Sequence, residues 1–196
     1  MRATIFLARH GTHAEVGQIL SGRSDIALSP AGEEQAKRLG RLARREGVAR
    51  VQTSPRARTV QTARIVAGVL GVDPETENAL DEIDFGDWSG RSFAALAADP
   101  TWQRWNEARH LAAAPRGETM TSATRRATSH LDALAASGAD RVLCVSHCDV
   151  IRGAVAHYLG LSLDRLLHFD VDPGSLTTLV LDGQGGRLVR LNEVPA

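Results

Sequence analysis

The chain alternates short apolar runs that stop abruptly with longer stretches in which apolar residues recur every three or four positions. Thr4 to Ala8 is a β-branched and aromatic run that gives way to Arg9-His10-Gly11, and Arg141 to Ser146, built around Val142-Leu143-Cys144-Val145, stops in the same manner at His147. Both predict buried strands with polar residues at their carboxyl ends, and Val48 to Thr53 predicts a third. Ser29-Pro30 is an N-cap followed by proline at the first helical position, and Ala36, Leu39, Leu42 and Ala43 then fall at helical spacing until Gly47. Ser54-Pro55 repeats that signature and predicts a helix through Ile65, Val66, Val69 and Leu70 to Gly71. Further helices are expected over Glu118 to Ala136 and Val150 to Leu159, with a short one near Leu163 to Leu167. Ser175 to Leu181 and Leu188 to Leu191 read as a hairpin around Asp182-Gly183-Gln184-Gly185-Gly186.

Two stretches lack a clean period. Thr12 to Leu28 reads as loop, and Leu80 to Trp88, with four acids and a terminal Trp88-Ser89-Gly90, reads as loop with a little strand. Phe93 to Leu111 is alanine-rich with Trp102 and Trp105, and predicts two short helices forming a cap within residues 91–116, before Pro115-Arg116-Gly117 breaks the pattern. Strand and helix otherwise alternate, which predicts an α/β sandwich with a mostly parallel sheet. A chain of 196 residues with 43% hydrophobic content suits one domain spanning 1–196.

Composition narrows the chemistry. The 23 basic and 23 acidic residues cancel, so neither nucleic acid nor a membrane surface is an expected partner. All but one of the basic residues are arginine; the exception, Lys37, lies on an amphipathic helix, which removes Schiff-base and phosphate-loop lysine chemistries. Arginine suits bidentate recognition of phosphate or carboxylate. Cys144 and Cys148 form neither a disulfide framework nor a CxxC motif, and the short apolar stretch at Ala3 to Ala8 is no signal-peptide core, so a cytoplasmic location is expected.

Ligands of open α/β sheets bind beyond the carboxyl ends of the strands. Arg9-His10, Arg56 and Arg58, and His147 each follow a predicted strand, so parallel neighbouring strands would gather two imidazoles and several guanidiniums into an anion site. A neutral imidazole is a competent nucleophile towards phosphorus, and phosphoryl transfer rewards charge on the equatorial oxygens. The departing alkoxide needs a proton, for which the acids Asp81, Glu82, Asp84 and Asp87 are the natural source. Those acids lack the spacing and the glycine of a calcium loop.

These residues fall into blocks that resemble, in order and over essentially the whole chain, the histidine phosphatase superfamily with its phosphoglycerate mutase-like fold. The blocks are Leu7 to Thr12 with Arg9-His10-Gly11, Asp25 to Gly32 with Gln35-Ala36, Thr53 to Arg58 with Gln61-Thr62-Ala63, Leu80 to Gly86 with Trp88 and Gly90, Gly117-Glu118, and Val145 to Cys148 with Ile151-Arg152. The resemblance implies a three-layer α/β/α sandwich. It implies that His10 becomes phosphohistidine, that Arg9 and Arg58 grip the phosphate, that His147 hydrogen-bonds the phosphoryl oxygens, and that Glu82 protonates the leaving group and then activates water. No metal and no cofactor are implied. Thr12, His13 and Arg23 would touch substrate, Arg58 is preferred to Arg56 as phosphate ligand, and Arg56 reads as a solvent-facing helix residue. The family usually has glycine where Cys148 stands; Cys148 reads as a buried structural thiol.

The function expected is hydrolysis of a small phosphate monoester without metal. A cofactor-dependent phosphoglycerate mutase uses the same residues, but the family's mutases carry a long basic insertion, whereas Glu82 to Gly117 is short and contains no lysine. A silent phosphate-binding or scaffolding relative would be expected to lose Arg9, His10 or Glu82, and all three are present. A phosphatase of phosphohistidine proteins would be expected to lack a cap. The pattern leaves room for a homo-oligomer.

Overall fold

In the computed structural model, which describes residues 2–182 and 185–196, β1 (Ala3–Arg9) and β4 (Val142–Ser146) lie side by side in the middle of one sheet. The strand order is β3-β2-β4-β1-β5-β6, where β2 is Arg50–Thr53, β3 Pro74–Thr76, β5 Leu176–Asp182 and β6 Gly185–Glu193. β3, β2, β4 and β1 run parallel, whereas β5 and β6 are antiparallel to their neighbours. The central strands are covered on both faces, which explains why they read as continuous apolar runs rather than alternating ones.

Strand periodicity sorts their side chains between two cores. Ile5, Leu7, Val142 and Cys144 point to the face covered by α5 (Met120–Ala136) and α6 (Cys148–Leu159). Phe6, Ala8, Leu143 and Val145 point to the face covered by α1 (Pro30–Arg45) and α2 (Ala57–Leu70). The result is the expected α/β/α sandwich with a mostly parallel sheet. The stretch read as a cap holds α3 (Phe93–Ala97) and α4 (Pro100–Glu107). It packs Leu96 and Trp105 with Phe85, Trp88 and Met120 in a third core.

The structure departs from the sequence pattern at three places. β3 was not foreseen, because a three-residue edge strand opening on proline carries almost no apolar signal. Ser54-Pro55 does not open α2: Arg56 holds the N-cap position without a side-chain cap, and the Ser54 hydroxyl is turned towards His147 and Asp81 instead. Leu80 to Trp88 contains single 3₁₀ turns at Asn78–Leu80 and Gly86–Trp88 rather than strand. Gly183 and Gln184, within the turn assigned to the hairpin, lie outside the described residues.

The loop after β1 is pressed against the first turn of α1. Ser29 caps that helix through Gly32 N–H, 3.2 Å, and donates its hydroxyl to Thr12 O. A Cβ on Gly32 would stand 2.1 Å from Thr12 O, and one on Gly11 would stand 2.4 Å from Gly32 O, so only glycines permit this approach. Gly32→Ala should therefore cost about 2 kcal/mol through backbone displacement. Gly68→Ala, on the exposed face of α2 with open space around it, should add about 0.5–1 kcal/mol. Urea denaturation of both variants tests the pair; equal stability of Gly32→Ala and the parent would mean that the loop has room to retreat.

Candidate active site

Parallel pairing brings the carboxyl ends of β1, β2 and β4 to one edge, and with them Arg9-His10, Ser54 and His147. The ladder continues one step past β1, where His10 N–H donates to Ser146 O at 3.1 Å, so the ring leaves the sheet at a fixed point. Gly11 N–H then donates to Thr62 Oγ1 at 3.1 Å, and that hydroxyl donates to Arg58 O at 2.8 Å, tying the loop to α2. His10 Nδ1 lies 2.8 Å from Gly11 O. A carbonyl can only accept, so Nδ1 carries the proton and Nε2 keeps its lone pair.

Arg58 is 1% exposed and is held from several sides. It donates to the carbonyls of Gly22 and Ser24 and, at 3.2 Å, to His147 Nδ1; the Glu82 carboxylate stands at 3.9 Å. Because a guanidinium only donates, His147 Nδ1 accepts, and its Nε2–H donates to Ser54 Oγ at 2.8 Å. The Ser54 hydroxyl passes on to Asp81 Oδ1 at 3.2 Å, and Asp81 is gripped by Arg56 through two bonds of 2.8 Å. Arg9 donates to Val171 O at 2.7 Å. The Nε atoms of both Arg9 and Arg58 are buried without a partner among the described residues, which suits an incoming anion.

Burial and this concentration of positive charge set the protonation states. The His10 imidazole lies well below its ordinary range, first through burial and then through the Arg58 and Arg9 charges, and His147 is depressed by burial and Arg58 in the same way. His13, whose ring lies 5.3 Å from that of His10, falls to about 4 from burial and the Arg58 charge. Burial lifts Glu82 to about 7, against the opposing pull of Arg58, with Asp149 adding to the rise. The site therefore pairs neutral imidazoles with a carboxyl that is half protonated near neutrality.

Arg9, His10, His13, Arg58, Glu82 and Cys148 line one cavity of about 450 Å³, with His147 wholly buried behind them. Thr12 and Arg23 do not line it. Thr12 is engaged through its backbone with Gln35 and Ser29, and Arg23 clasps the acid loop through Glu82 O, Asp81, Asp84 and Glu118. Arg56 is neither phosphate-facing nor free in solvent, being the partner of Asp81. Cys148 is half-buried rather than buried; its thiol is pushed up to about 11 by burial and donates to Val171 O. Trp105 is core, whereas Trp102 faces the cavity. The sequence reading missed Ser54 as the partner of His147, Asp81 as the acceptor behind Ser54, and the Arg109–Asp149 pair at 2.8 Å in the cavity wall. Asp149 and Arg152, at i and i+3 on one helix, were the available signal for the latter.

A pH dependence of stability follows from these states. His10, His13 and His147 are neutral in the folded chain but regain ordinary values near 6.5 on unfolding, so the unfolded state binds more protons and stability falls as pH drops below 6.5. Glu82 acts with the opposite sign: its raised value favours the fold below the ordinary carboxylate range, and that contribution is lost as pH rises through about 7. Three imidazoles outweigh one carboxyl, so unfolding takes up protons on balance and stability falls, increasingly steeply, as pH drops from 6.5 to 5. Denaturation midpoints at pH 7, 6 and 5 measure it; a flat profile would mean that the imidazoles are not neutral in the fold.

Comparison with known proteins agrees with the geometry. The family model described as "Histidine phosphatase superfamily (branch 1)" matches residues 5–194. "Putative phosphoserine phosphatase 2" of Hydrogenobacter thermophilus is 28% identical over 97% of this chain and 95% of the relative. "Probable phosphoglycerate mutase GpmB" of Yersinia enterocolitica is 31% identical over 80% and 75%, and "Adenosylcobalamin/alpha-ribazole phosphatase" of Salmonella typhimurium is 33% identical over 87% and 86%. The solved structure of Bacillus stearothermophilus YhfR superposes with a TM-score of 0.90 at 28% identity, covering 98% of both chains. With its strand-end imidazoles, its buried arginines and this match over nearly its whole length, the chain belongs to the histidine phosphatase superfamily.

Proposed function

We propose that the protein is a metal-independent phosphomonoesterase that hydrolyses a small phosphate ester through a phosphohistidine on His10. The observation that carries the reading is a neutral His10 with Nε2 free, close to the buried Arg58 and half-buried Arg9 guanidiniums and beside a carboxyl lifted to about 7.

The Nε2 lone pair of His10 attacks phosphorus and the P–O bond to the alcohol breaks. Arg9 and Arg58 bear the negative charge on the non-bridging oxygens, with their unpartnered Nε–H groups available for it. Protonated Glu82 gives its proton to the departing alkoxide. The resulting carboxylate takes a proton from water, whose oxygen attacks the phosphohistidine; the P–N bond breaks, phosphate leaves and Glu82 is protonated again. His147 accepts from Arg58 in the free protein. Once Arg58 turns its N–H groups to the phosphoryl oxygens, Ser54 can reverse its hydroxyl and donate to Nε2, which allows the proton to sit on Nδ1 and be donated in turn.

Small soluble esters fit both the cavity and the relatives, two of which are named as phosphatases. A mutase would have to hold a second anionic group of its bisphosphate, and the two further arginines of the cavity wall, Arg109 and Arg152, are already committed to carboxylates. Two unpaired cysteines suit a reducing, cytoplasmic compartment, and among the described residues no helix is long and apolar enough to cross a membrane.

His10→Ala should abolish hydrolysis of p-nitrophenyl phosphate, while the parent enzyme should keep its activity in EDTA; a parent that loses activity in EDTA overturns the arginine-based account. Glu82→Gln should lower kcat/KM for an alkyl phosphate about 10²–10⁴-fold and for p-nitrophenyl phosphate far less, because kcat/KM reads only the steps through phosphoryl transfer to His10 and nitrophenolate leaves without a proton. For the alkyl ester, kcat/KM should fall as pH rises through about 7, where Glu82 loses its proton, and this limb should be absent with p-nitrophenyl phosphate. Equal losses on both esters would assign the acid to another residue.

A further inference from the structure

The cavity in front of His10 is far larger than a phosphoryl group, and its outer part is built differently from its inner part. The inner end carries the arginines and imidazoles. The mouth is walled by Phe85, Phe93 and Trp102, by Ile19, which lies beside Phe93 through the Ile19–Ser92 bridge, and by Leu167. Trp102 is fixed edge-on against the buried Trp88, ring centroids 5.2 Å apart at 88°, and Phe93 lies 6.3 Å from Trp102. Phe93 and Leu167 remain 36% and 54% exposed, so an apolar guest would remove apolar surface from water at the mouth.

The polar groups of the outer end bear on the guest's charge. Arg109 donates to Asp149 at 2.8 Å and to Asn106 Oδ1 at 2.8 Å; Arg152 pairs with Asp149 at 3.4 Å and Asp170 at 3.5 Å, and donates to Phe169 O. Asp149, which lines the cavity, engages both guanidiniums, and Asp170, 81% exposed, offsets the second charge of Arg152 from outside the cavity. A carboxylate or second phosphate on the substrate would have to displace Asp149 from its partners and would approach that charge closely. The Nε of Arg109 is buried and unpartnered, which accommodates a neutral acceptor such as a hydroxyl, carbonyl or ring nitrogen.

We infer that the preferred substrate is a phosphate monoester whose alcohol carries an uncharged aromatic group, seated against Phe93 and Trp102, and that three-carbon esters bearing a carboxylate are poor substrates. The inference rests on the phosphomonoesterase reading for its phosphate end, while the aromatic wall and the engaged arginines are independent of it. An aromatic guest could be a nucleoside or a simple arylalkyl group, and both present the same flat apolar face.

The test uses primary-alcohol esters, so that leaving-group ability does not confuse the comparison: 2-phenylethyl phosphate, adenosine 5′-monophosphate, ethyl phosphate, phosphoserine and 3-phosphoglycerate. Hydrolysis is measured with the parent enzyme, and dissociation constants are measured by calorimetry with His10→Ala, which holds each ester unreacted. The aromatic esters should exceed ethyl phosphate and both carboxylate esters about tenfold in kcat/KM and in affinity. The ratio of 2-phenylethyl to ethyl phosphate should fall about tenfold in Phe93→Ala, an exposed position, and in Trp102→Ala. Advantage of the adenosine over the phenylethyl ester would identify a heteroaromatic guest, and the reverse a plain aryl one; either supports the inference. Tighter binding of phosphoserine or 3-phosphoglycerate, or an unchanged ratio in Phe93→Ala, overturns it. Aromatic preference in binding without turnover in the parent would support the inference and remove the phosphatase reading alone.

Discussion

A guanidinium 1% exposed in the middle of a polar site is the constraint around which the rest is arranged. Burying Arg58 is costly unless its donors and its charge are met, and the chain meets them from three separate segments. Gly22 and Ser24 supply carbonyls, His147 supplies a ring nitrogen, and Glu82 supplies a nearby carboxylate. The stretch from Thr12 to Leu28, which has no regular structure of its own, is thereby given a fixed position by a side chain on α2. After burial, the same charge is the leading cause that keeps His10, His13 and His147 neutral. One residue thus organises a loop, an anion site and the protonation of the imidazoles.

The acid loop is held by a second set of arginines that do not enter the cavity. Arg23 and Arg56 converge on Asp81, Arg23 reaches Asp84, and Arg126 donates to Glu82 O while pairing with Glu118. Asp81 is therefore saturated with cations, while its sequence neighbour Glu82 faces the cavity, accepting from Ile83 N–H at 3.0 Å with the Arg58 guanidinium at 3.9 Å. Burial on the cavity side of the loop is what lifts Glu82. Arginine-rich composition has a local meaning here: Arg9 and Arg58 line the cavity, and Arg23, Arg56 and Arg126 bind the loop that carries Asp81 and Glu82.

Much of this was legible because strand ends and helix caps are local features. The apolar runs that stop at Arg9 and at His147 announced both where the strands end and where the polar groups gather, and parallel neighbours need only a covered sheet to bring them together. What was not legible depends on partners far along the chain. Ser54 reads as an N-cap because Pro55 follows it, yet its hydroxyl serves His147, 93 residues away, and the helix starts without a cap. Arg56 reads as a solvent-facing position because its spacing on α2 is correct for one, but Asp81 lies across the turn to receive it. Arg23 and Thr12 follow the His10 block closely in sequence, yet the loop turns them towards the acid loop and α1 rather than the cavity. Residue type and order identify the chemistry, whereas loop path decides which side chains face it.

The outer wall of the cavity is not electrically separate from the reaction centre. Burial alone would raise Asp149, but Arg109 and Arg152 more than offset this and keep its carboxyl ionised. That fixed negative charge is one of the causes that lift Glu82, acting with burial against the pull of Arg58. The pairing that engages both arginines of the outer wall thus also helps to hold the acid protonated near neutral pH. Two arginines spent on one aspartate look wasteful for anion binding, but freeing either of them would bring a positive charge to bear on Glu82 and shift it towards the ordinary carboxylate range. Engagement of the two wall arginines and retention of the proton on Glu82 therefore draw on the same carboxylate.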